Sequence, residues 1–273
     1  MRSRYMRKGN ESVTVAVSSF TREDAFFLSC MRSLGIGVAP YLRCRSFPQD
    51  GFPLKLFSTL AETPENRIVA AVPCTTVWTV DDVHDDDVEG LMPPLQSCQE
   101  ACSSPHVSKH FDLLYLSLYF AIQACRTTST SSWSHWQRQL SPPATFKSDV
   151  EDAAATFLQI LSENSIVPPM ELMLNMCRYT QTHSCRLTKD RMKLNLKEGP
   201  VLAVMPLVDL MISQNVAEGN VALRRCDARQ LRSLMRSNPL KCAKQHLSVC
   251  DDDAAYWLLE TVVAVKEYIP LNL

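Results

Sequence analysis

The chain of 273 residues is long enough for one large domain, or for one domain with a substantial insertion, and its 46% hydrophobic residues exclude wholesale disorder. Its 28 Lys and Arg residues nearly cancel its 29 Asp and Glu residues, so no global field draws it to DNA or to a membrane. Only seven residues are glycine, and neither GxGxxG nor GxxxxGK[ST] occurs, which excludes a Rossmann dehydrogenase, a P-loop NTPase and a glycine-loop kinase.

The N-terminal segment is basic. Residues 1–8, MRSRYMRK, contain four basic side chains, and no acidic residue precedes Glu11. This pattern is typical of a mitochondrial presequence or of a basic arm, although an ordinary basic terminus fits equally well. The 11 cysteines are odd in number, and no long apolar stretch indicates a secretory signal. We therefore expect a reducing compartment, mitochondrial or otherwise cytoplasmic, with mostly free thiols.

The first predicted helix begins after Thr21. Thr21 with Asp24 three residues later resembles a capping box, and Gly35 is placed to end the helix. Apolar residues recur between them with helical period, at Phe26, Phe27, Cys30, Met31 and Leu34. Three strand-like runs follow, at 38–44, 54–60 and 68–80.

The pattern changes after Pro93-Pro94. Residues 108–126, 148–163 and 169–185 predict three helices. After Gly199-Pro200, a predicted strand at 201–205 opens a mixed portion that closes with the apolar run 254–265. The order of strands, helices and strands again predicts an α+β fold of short strands with an inserted helical subdomain, and not an alternating βαβ enzyme.

Two groups of residues superficially resemble zinc ligands. Cys98, Cys102, His106 and His110 are spaced C-x3-C-x3-H-x3-H, but Pro105 interrupts the helix that would align them. The second group, Cys242, His246 and Cys250, offers only three ligands. We expect no metal site at either place. The four tryptophans are expected to anchor the core; they are Trp78, Trp133, Trp136 and Trp257.

A basic stretch at 224–244 carries seven bases and one acid. If 223–237 is helical, Arg225, Arg229, Arg232 and Arg236 share one face and Arg224 lies at its edge. These five arginines are the candidate contacts for RNA or an acidic partner. The alternatives are a solvated helix face, or pairing with the chain's own acidic segment 81–89. A second acidic cluster lies at 251–253.

Six segments resemble, in the same order along the chain, the signature segments of SET-domain proteins of the Rubisco large-subunit methyltransferase type. They are FFLSCMRSLGIGV (26–38), LKLFSTLAETPENRIVAAVPCTTVWTVDDV (54–83), SSWSHWQRQLSPP (131–143), YTQTHSCRL (179–187), VMPLVDLMISQNVAEGN (204–220) and WLLETVVAVKEYIPLN (257–272). The resemblance implies a SET-like fold divided into four parts: a basic arm and first helix at 1–50, the first part of the SET-like core at 51–98, the helical insertion at 99–199 and the second part of the core at 200–273.

The chemistry that the family implies is S-adenosylmethionine-dependent methyl transfer to a lysine amine, in which positioning dominates the rate. The family's residues for that chemistry are replaced at four places in this chain. The resemblance places Pro53-Leu54-Lys55 where the family has its GxG turn. It places His183 where the family has the arginine that meets the cofactor carboxylate. Ile212-Ser213 stands where the family has its cofactor-binding Asn-His pair. Val262 stands where the family has its catalytic tyrosine, with Tyr256 and Tyr268 as the alternatives for that tyrosine. We therefore expect no cofactor and no catalytic residues.

The combined expectation is a catalytically inactive SET-fold protein that acts as a structural or assembly subunit of a large complex. The expected partners are protein subunits and ribosomal RNA, with the mitochondrial ribosome as the leading context. Two alternatives remain open. The first is that the chain is an active protein-lysine methyltransferase with a divergent pocket. The second is that it is an inactive partner that regulates such an enzyme.

Overall fold

The computed structural model describes residues 3–8, 11–16, 21–47, 52–85, 92, 98–99, 102, 104–125, 148–162, 168–187, 201–211, 219–241, 243–266 and 271. The strands are β1 (Ser3–Lys8), β2 (Glu11–Ala16), β3 (Gly37–Val38), β4 (Leu42–Phe47), β5 (Phe52–Ser58), β6 (Glu62–Thr63), β7 (Ile68–Pro73), β8 (Trp78–Thr79), β9 (Ser184–Leu187), β10 (Val201–Val204), β11 (Val221–Asp227), β12 (Ala255–Thr261) and β13 (Val265–Lys266). The helices are α1 (Arg22–Ser33), α2 (Val80–Asp85), α3 (Pro105–Ser108), α4 (Phe111–Cys125), α5 (Ser148–Ser162), α6 (Met170–His183), α7 (Ala228–Leu234) and α8 (Ala243–Leu247). Two short 3₁₀ turns lie at Cys74–Thr76 and Val208–Leu210.

The strands form small antiparallel sheets. The largest has four strands in the order β11-β12-β7-β3, and β11 pairs with β12 along all seven of its residues. Every residue of β7 is buried, since the strand lies inside this sheet. A three-stranded sheet has the order β8-β10-β9, and β4-β5, β13-β6 and β1-β2 are two-stranded. The predicted α+β class is confirmed.

The helices between the two sets of strands pack through aromatic side chains. Phe120 of α4 meets Tyr179 of α6 edge-on, with ring centroids 5.9 Å apart, and Phe111 of α4 meets Phe157 of α5 in the same way at 6.2 Å. Trp78 of β8 contacts Phe120 at 6.1 Å and so joins the strands to the helices. Such pairs contribute roughly 0.5–1.5 kcal/mol each beyond the apolar area that they bury.

Helix α1 begins where the sequence predicts. The Thr21 hydroxyl accepts from the Asp24 N–H, and the Asp24 carboxylate accepts from the Thr21 N–H at 2.9 Å, which completes the capping box. The Asp24 carboxylate also forms an ion pair with Arg45 at 2.7 Å and accepts from the Cys44 N–H. One buried carboxylate therefore caps α1 and fixes β4 beside it.

Two of the seven glycines lie where α1 turns into β3. Gly35 has a left-handed φ of +69°, and a Cβ atom there would lie 2.5 Å from the ring of His246. A Cβ atom on Gly37 would lie 2.7 Å from the Ala243 Cβ. These glycines let α8 pack directly on the backbone of the turn.

Most predicted elements match the structure within a few residues. The predicted strand at 38–44 is divided between β3 and β4, and the run 68–80 is divided by a 3₁₀ turn before α2 begins. Trp257 is buried as expected and Trp78 is half-buried, whereas Trp133 and Trp136 lie outside the described residues. The domain boundaries stay predictions. No helix in the described ranges is long and apolar enough to cross a membrane.

Candidate functional site

A buried polar cluster lies where α6 meets the 3₁₀ turn at Val208–Leu210. Tyr179 and His183, one turn apart on α6, stack with ring centroids 4.9 Å apart. The Tyr179 hydroxyl lies 3.4 Å from an Asp209 carboxylate oxygen, and His183 Nδ1 lies 3.3 Å from the Asp209 carbonyl oxygen. His183 is the residue that the sequence resemblance aligns with the family's cofactor-binding arginine.

His183 is neutral in this cluster. Burial lowers the pKa of the imidazole to about 4, and the hydrogen bond to Asp209 offsets that effect only in part. The Asp209 carbonyl oxygen can only accept, so His183 Nδ1 carries the proton and Nε2 does not. The side chain is 2% exposed. His183 therefore offers neither a positive charge nor an accessible surface to an anionic ligand.

The backbone beside Asp209 is strained. Leu207 has φ +77° and ψ −47°, a conformation that costs a non-glycine residue on the order of 1–3 kcal/mol. Leu207 and its neighbour Val208 are fully buried, and this packing holds the turn. The turn in turn presents Asp209 to α6.

The segment that the sequence resemblance aligns with the family's GxG turn, Pro53-Leu54-Lys55, is part of strand β5. Lys55 pairs with Arg45 and Leu54 with Ser46, and the register shifts between Ser46 and Phe47. Pro53 lies at this irregularity, where a residue without an N–H donor is tolerated. Leu54 and Lys55 are therefore held by pairing with β4, and Pro53 lies at the irregularity beside them.

The residue that the sequence resemblance aligns with the family's catalytic tyrosine is an exposed valine. Val262 is 41% exposed, and its N–H donates to the Asn220 carbonyl oxygen at 3.0 Å. Tyr256, one alternative, is buried within β12, and its hydroxyl lies 2.7 Å from His246 Nδ1 and 3.3 Å from Cys250 Sγ. Tyr256 is therefore engaged inside the fold. Tyr268, the other alternative, lies outside the described residues, as do Ile212 and Ser213.

Comparisons with known proteins bear on the fold. No family model matches the sequence, and no curated protein matches it either. A crystal structure of the SET domain of LSMT bound to lysine and AdoHcy is similar to 92% of this chain, with a TM-score of 0.51 and 14% identity. A second, bound to methyllysine and AdoHcy, is similar to 93% of the chain, with a TM-score of 0.54 and 12% identity.

The chain has a SET-domain fold. It covers 53% of each of these LSMT chains, so it spans about half the length of the solved structures that it matches. The expected resemblance to the Rubisco large-subunit methyltransferase type is confirmed at the level of the fold.

The five candidate arginines do not share one helix. Arg224 and Arg225 lie on strand β11, and only then does α7 begin, so the prediction of a helix over 223–237 is wrong. Asp227 caps α7 by accepting from the Gln230 N–H at 2.6 Å. This cap stops the helix from extending back to the two arginines of the strand.

The strand arginines contact their own sheet. Arg224 Nε forms an ion pair with Glu260 of β12 at 3.3 Å. Arg225 is exposed, and its guanidinium lies beside the Cys74 thiol, whose pKa burial raises to about 11 despite that positive charge. Arg224 and Arg225 therefore form no stripe with the arginines of the helix.

The remaining arginines lie along one side of α7 and the turn that follows it, at the spacing i, i+3 and i+7. We call Arg229, Arg232 and Arg236 the α7 arginine face. Arg232 forms an ion pair with Asp252, and its Nη2 donates to the Leu247 and Cys250 carbonyl oxygens at 2.8 and 3.0 Å. Arg229 pairs with Asp252 at 3.5 Å, and Arg236 is exposed.

Asp252 is the residue that sequence reasoning missed. The internal partner suggested by the sequence was the acidic segment 81–89, whereas the described pairing is with the cluster at 251–253. The sequence contains a signal for this partner, because the acidic cluster at 251–253 is as visible as the segment 81–89. The choice between them depends on α8 and β12, which bring Asp252 back to α7.

Within the described residues, the first zinc-like group, Cys98, Cys102, His106 and His110, is not brought together as a ligand set. No group of three or more metal-binding side chains lies together within the described part of the chain. Cys98 and Cys102 are buried, and His110 Nε2 contacts Asp149 of α5 at 3.2 Å. Cys242, of the second group, lies outside the described residues.

Proposed function

We propose that this SET-fold protein lacks methyltransferase activity and acts as a binding or structural subunit of a larger assembly. The observation that carries the proposal is His183. At the place of the cofactor-binding arginine stands a neutral imidazole, 2% exposed, whose Nδ1–H is directed at the Asp209 carbonyl oxygen.

The physical argument concerns the cofactor carboxylate. A hydrogen bond to a charged group contributes roughly 1.5–3 kcal/mol, and a guanidinium fork supplies two such bonds to a carboxylate. Neutral His183 supplies neither the charge nor the fork. Loss of both bonds, roughly 3–6 kcal/mol together, weakens binding of the cofactor by roughly two to four orders of magnitude, at about 1.4 kcal/mol per tenfold.

Two further positions support the same conclusion. Val262 has no hydroxyl group to orient a lysine amine, and Tyr256 is held inside the fold by His246 and Cys250. The segment containing Lys55 pairs in a strand where a close backbone approach to the cofactor is needed. Positioning supplies most of the rate in methyl transfer, so these losses act on the chemical step as well as on binding.

The test is a methyl-transfer assay. The full chain is incubated with S-adenosylmethionine carrying a labelled methyl group, together with a lysate of cells that lack the protein. We expect no labelled protein above the level of a heat-denatured sample. A labelled lysine on any protein that requires this chain would refute the proposal.

The fold itself favours one alternative, an active S-adenosylmethionine-dependent protein-lysine methyltransferase with a divergent pocket. The similar LSMT structures contain lysine or methyllysine together with AdoHcy. A further alternative is an inactive partner of such an enzyme. Native purification followed by mass spectrometry separates them, since a single methyltransferase as the partner favours the latter.

The assembly that we propose contains RNA, and the mitochondrial ribosome is its leading candidate. The basic residues 1–8 and the α7 arginine face support this context. Native purification is expected to recover several ribosomal proteins together with RNA. Recovery of the chain as a free monomer would refute the subunit role.

A further inference from the structure

The side chain of Asp252, in the acidic loop at 251–253, contacts the α7 arginine face. The Asp252 carboxylate lies between two guanidinium groups: Oδ2 is 3.5 Å from Arg229 Nη2, and Oδ1 forms an ion pair with Arg232 Nη1. These two arginines lower the pKa of Asp252, so its carboxylate is charged at neutral pH. The α7 arginine face is therefore occupied by an anion that belongs to the chain itself.

We infer that Asp252 is an internal competitor for an RNA phosphate group, so that the loop weakens binding of RNA until an RNA strand displaces it. The inference rests on the proposed function, because it identifies how the proposed assembly contact is regulated. Asp252 shows which chemistry the two arginines accept: a singly charged group with two oxygens. A phosphodiester presents the same group, and guanidinium forks bind phosphate as readily as carboxylate.

The arrangement allows the side chain to leave without unfolding the loop. The Arg229 N–H donates to the Asp252 carbonyl oxygen at 3.2 Å, and Arg232 Nη2 donates to two other carbonyl oxygens of the 247–250 segment. These bonds do not involve the carboxylate. The side chains are also open to solvent, at 80% for Arg229, 37% for Arg232 and 55% for Asp252, and ion pairs at exposed positions are weak.

The chemistry of the surface favours RNA over an acidic protein. Arg236 is exposed and extends the α7 arginine face beyond the two arginines that Asp252 contacts. Within the described residues 228–237 and 247–253, Val249 is the one large apolar side chain that is exposed. Protein interfaces require a buried apolar centre, whereas contacts to a nucleic acid backbone are polar and positively charged.

The test compares two variants that remove the same charge. Asp252→Asn removes the carboxylate that pairs with the arginines, and Asp253→Asn removes one carboxylate from the next position of the exposed loop. The probe is a fluorescent oligouridine of about 16 nucleotides, whose binding to the full chain is measured by fluorescence anisotropy at about 50 mM salt. Thermal melting of each variant establishes that the fold is intact.

We expect Asp252→Asn to lower the Kd for oligouridine by about 3- to 10-fold, the range set by two exposed ion pairs. Asp253→Asn is expected to lower it by less than about twofold, because it removes only a screened charge. Arg229→Gln is expected to weaken binding and to reduce the slope of log K against log salt by about 0.7.

Two results would overturn the inference. If Asp252→Asn and Asp253→Asn lower the Kd for oligouridine equally, Asp252 acts only through the overall charge of the loop and not as a competitor for the arginines. Absence of oligouridine binding by the wild-type chain and by Asp252→Asn, or tighter binding of an oligoaspartate peptide than of oligouridine, would exclude RNA as the ligand. None of these results depends on methyl transfer, so a chain that proved to be an active enzyme would leave them unchanged.

Discussion

Replacing Asp24 with alanine is expected to destabilise the fold by about 4–6 kcal/mol. Three interactions are lost together. The capping box of α1 is worth about 1 kcal/mol, and the Cys44 N–H loses its acceptor at a cost of about 1–3 kcal/mol. The guanidinium of Arg45, 15% exposed, loses its carboxylate partner. Breaking a buried pair costs about 3–5 kcal/mol, but Arg45 keeps hydrogen bonds to Thr21 and Cys44, so we count about 2.

The chain contains a matched control. Asp82 accepts from the N–H and the hydroxyl of Thr79 in the same way as Asp24 accepts from Thr21, but Asp82 is exposed and Thr79 is only half-buried. Asp82→Ala is therefore expected to cost only about 1 kcal/mol. The assay is urea denaturation followed by circular dichroism. Equal losses for the two variants would show that the Arg45 pair and the Cys44 bond contribute nothing, and would refute the reasoning.

The same carboxylate predicts a pH dependence. Burial alone would raise the pKa of Asp24, but the hydrogen bonds from Arg45, Thr21 and Cys44 outweigh it and lower the pKa below the usual value. Because this pKa is lower in the folded state than in the unfolded state, Asp24 makes its full contribution to stability above its unfolded-state pKa of about 3.9. That contribution is lost as the pH falls through the pKa of the folded state. Asp24→Ala is expected to abolish this part of the acid sensitivity.

Two further predictions concern packing and thiol reactivity. Gly35→Ala is expected to lower the free energy of unfolding by about 2–4 kcal/mol, because φ is +69° and the new Cβ would lie 2.5 Å from the His246 ring. Adding His246→Ala should recover part of that loss. If the effects of the two substitutions are strictly additive in urea denaturation, the packing argument is contradicted. Burial raises the pKa of the Cys177 thiol to about 12, whereas Cys125 is exposed. Native protein treated with iodoacetamide should therefore be labelled at Cys125 before Cys177, and equal labelling of the two by mass spectrometry would show that α6 is not packed as described.

Local sequence signals predict most of the fold. The capping box at Thr21 and Asp24 and the glycine at 35 place α1 within a residue of its ends, because both signals act over a few residues. The buried strand β7 is visible as an apolar run, although its turn into β8 is not. The helices α4, α5 and α6 also follow from their apolar period of 3.6 residues.

The error at the arginines has a specific cause. Leu223, Leu231 and Leu234 fit a helical period, so they concealed the boundary between β11 and α7. Asp227 followed by Gln230 forms a capping box, and this signal places the start of the helix at Ala228. Local chemistry therefore outweighs a period that spans two elements.

The candidate site depends on contacts that sequence does not encode locally. The sequence resemblance singles out His183, but the burial of His183 against Tyr179 and Asp209 requires α6 and the 3₁₀ turn to meet. The same is true of Asp252, which reaches α7 only because the chain returns through α8. The surroundings of His183 and of Asp252 are therefore both set by segments that are distant in the sequence.

Calorimetric titration of the full chain with S-adenosylmethionine, repeated with AdoHcy, tests the central claim most directly. The neutral, buried His183 predicts no measurable heat of binding for either ligand, and no increase in melting temperature at millimolar concentration. A saturable titration with a micromolar Kd would contradict the account, because it would require a cofactor site that does not depend on a cation at residue 183.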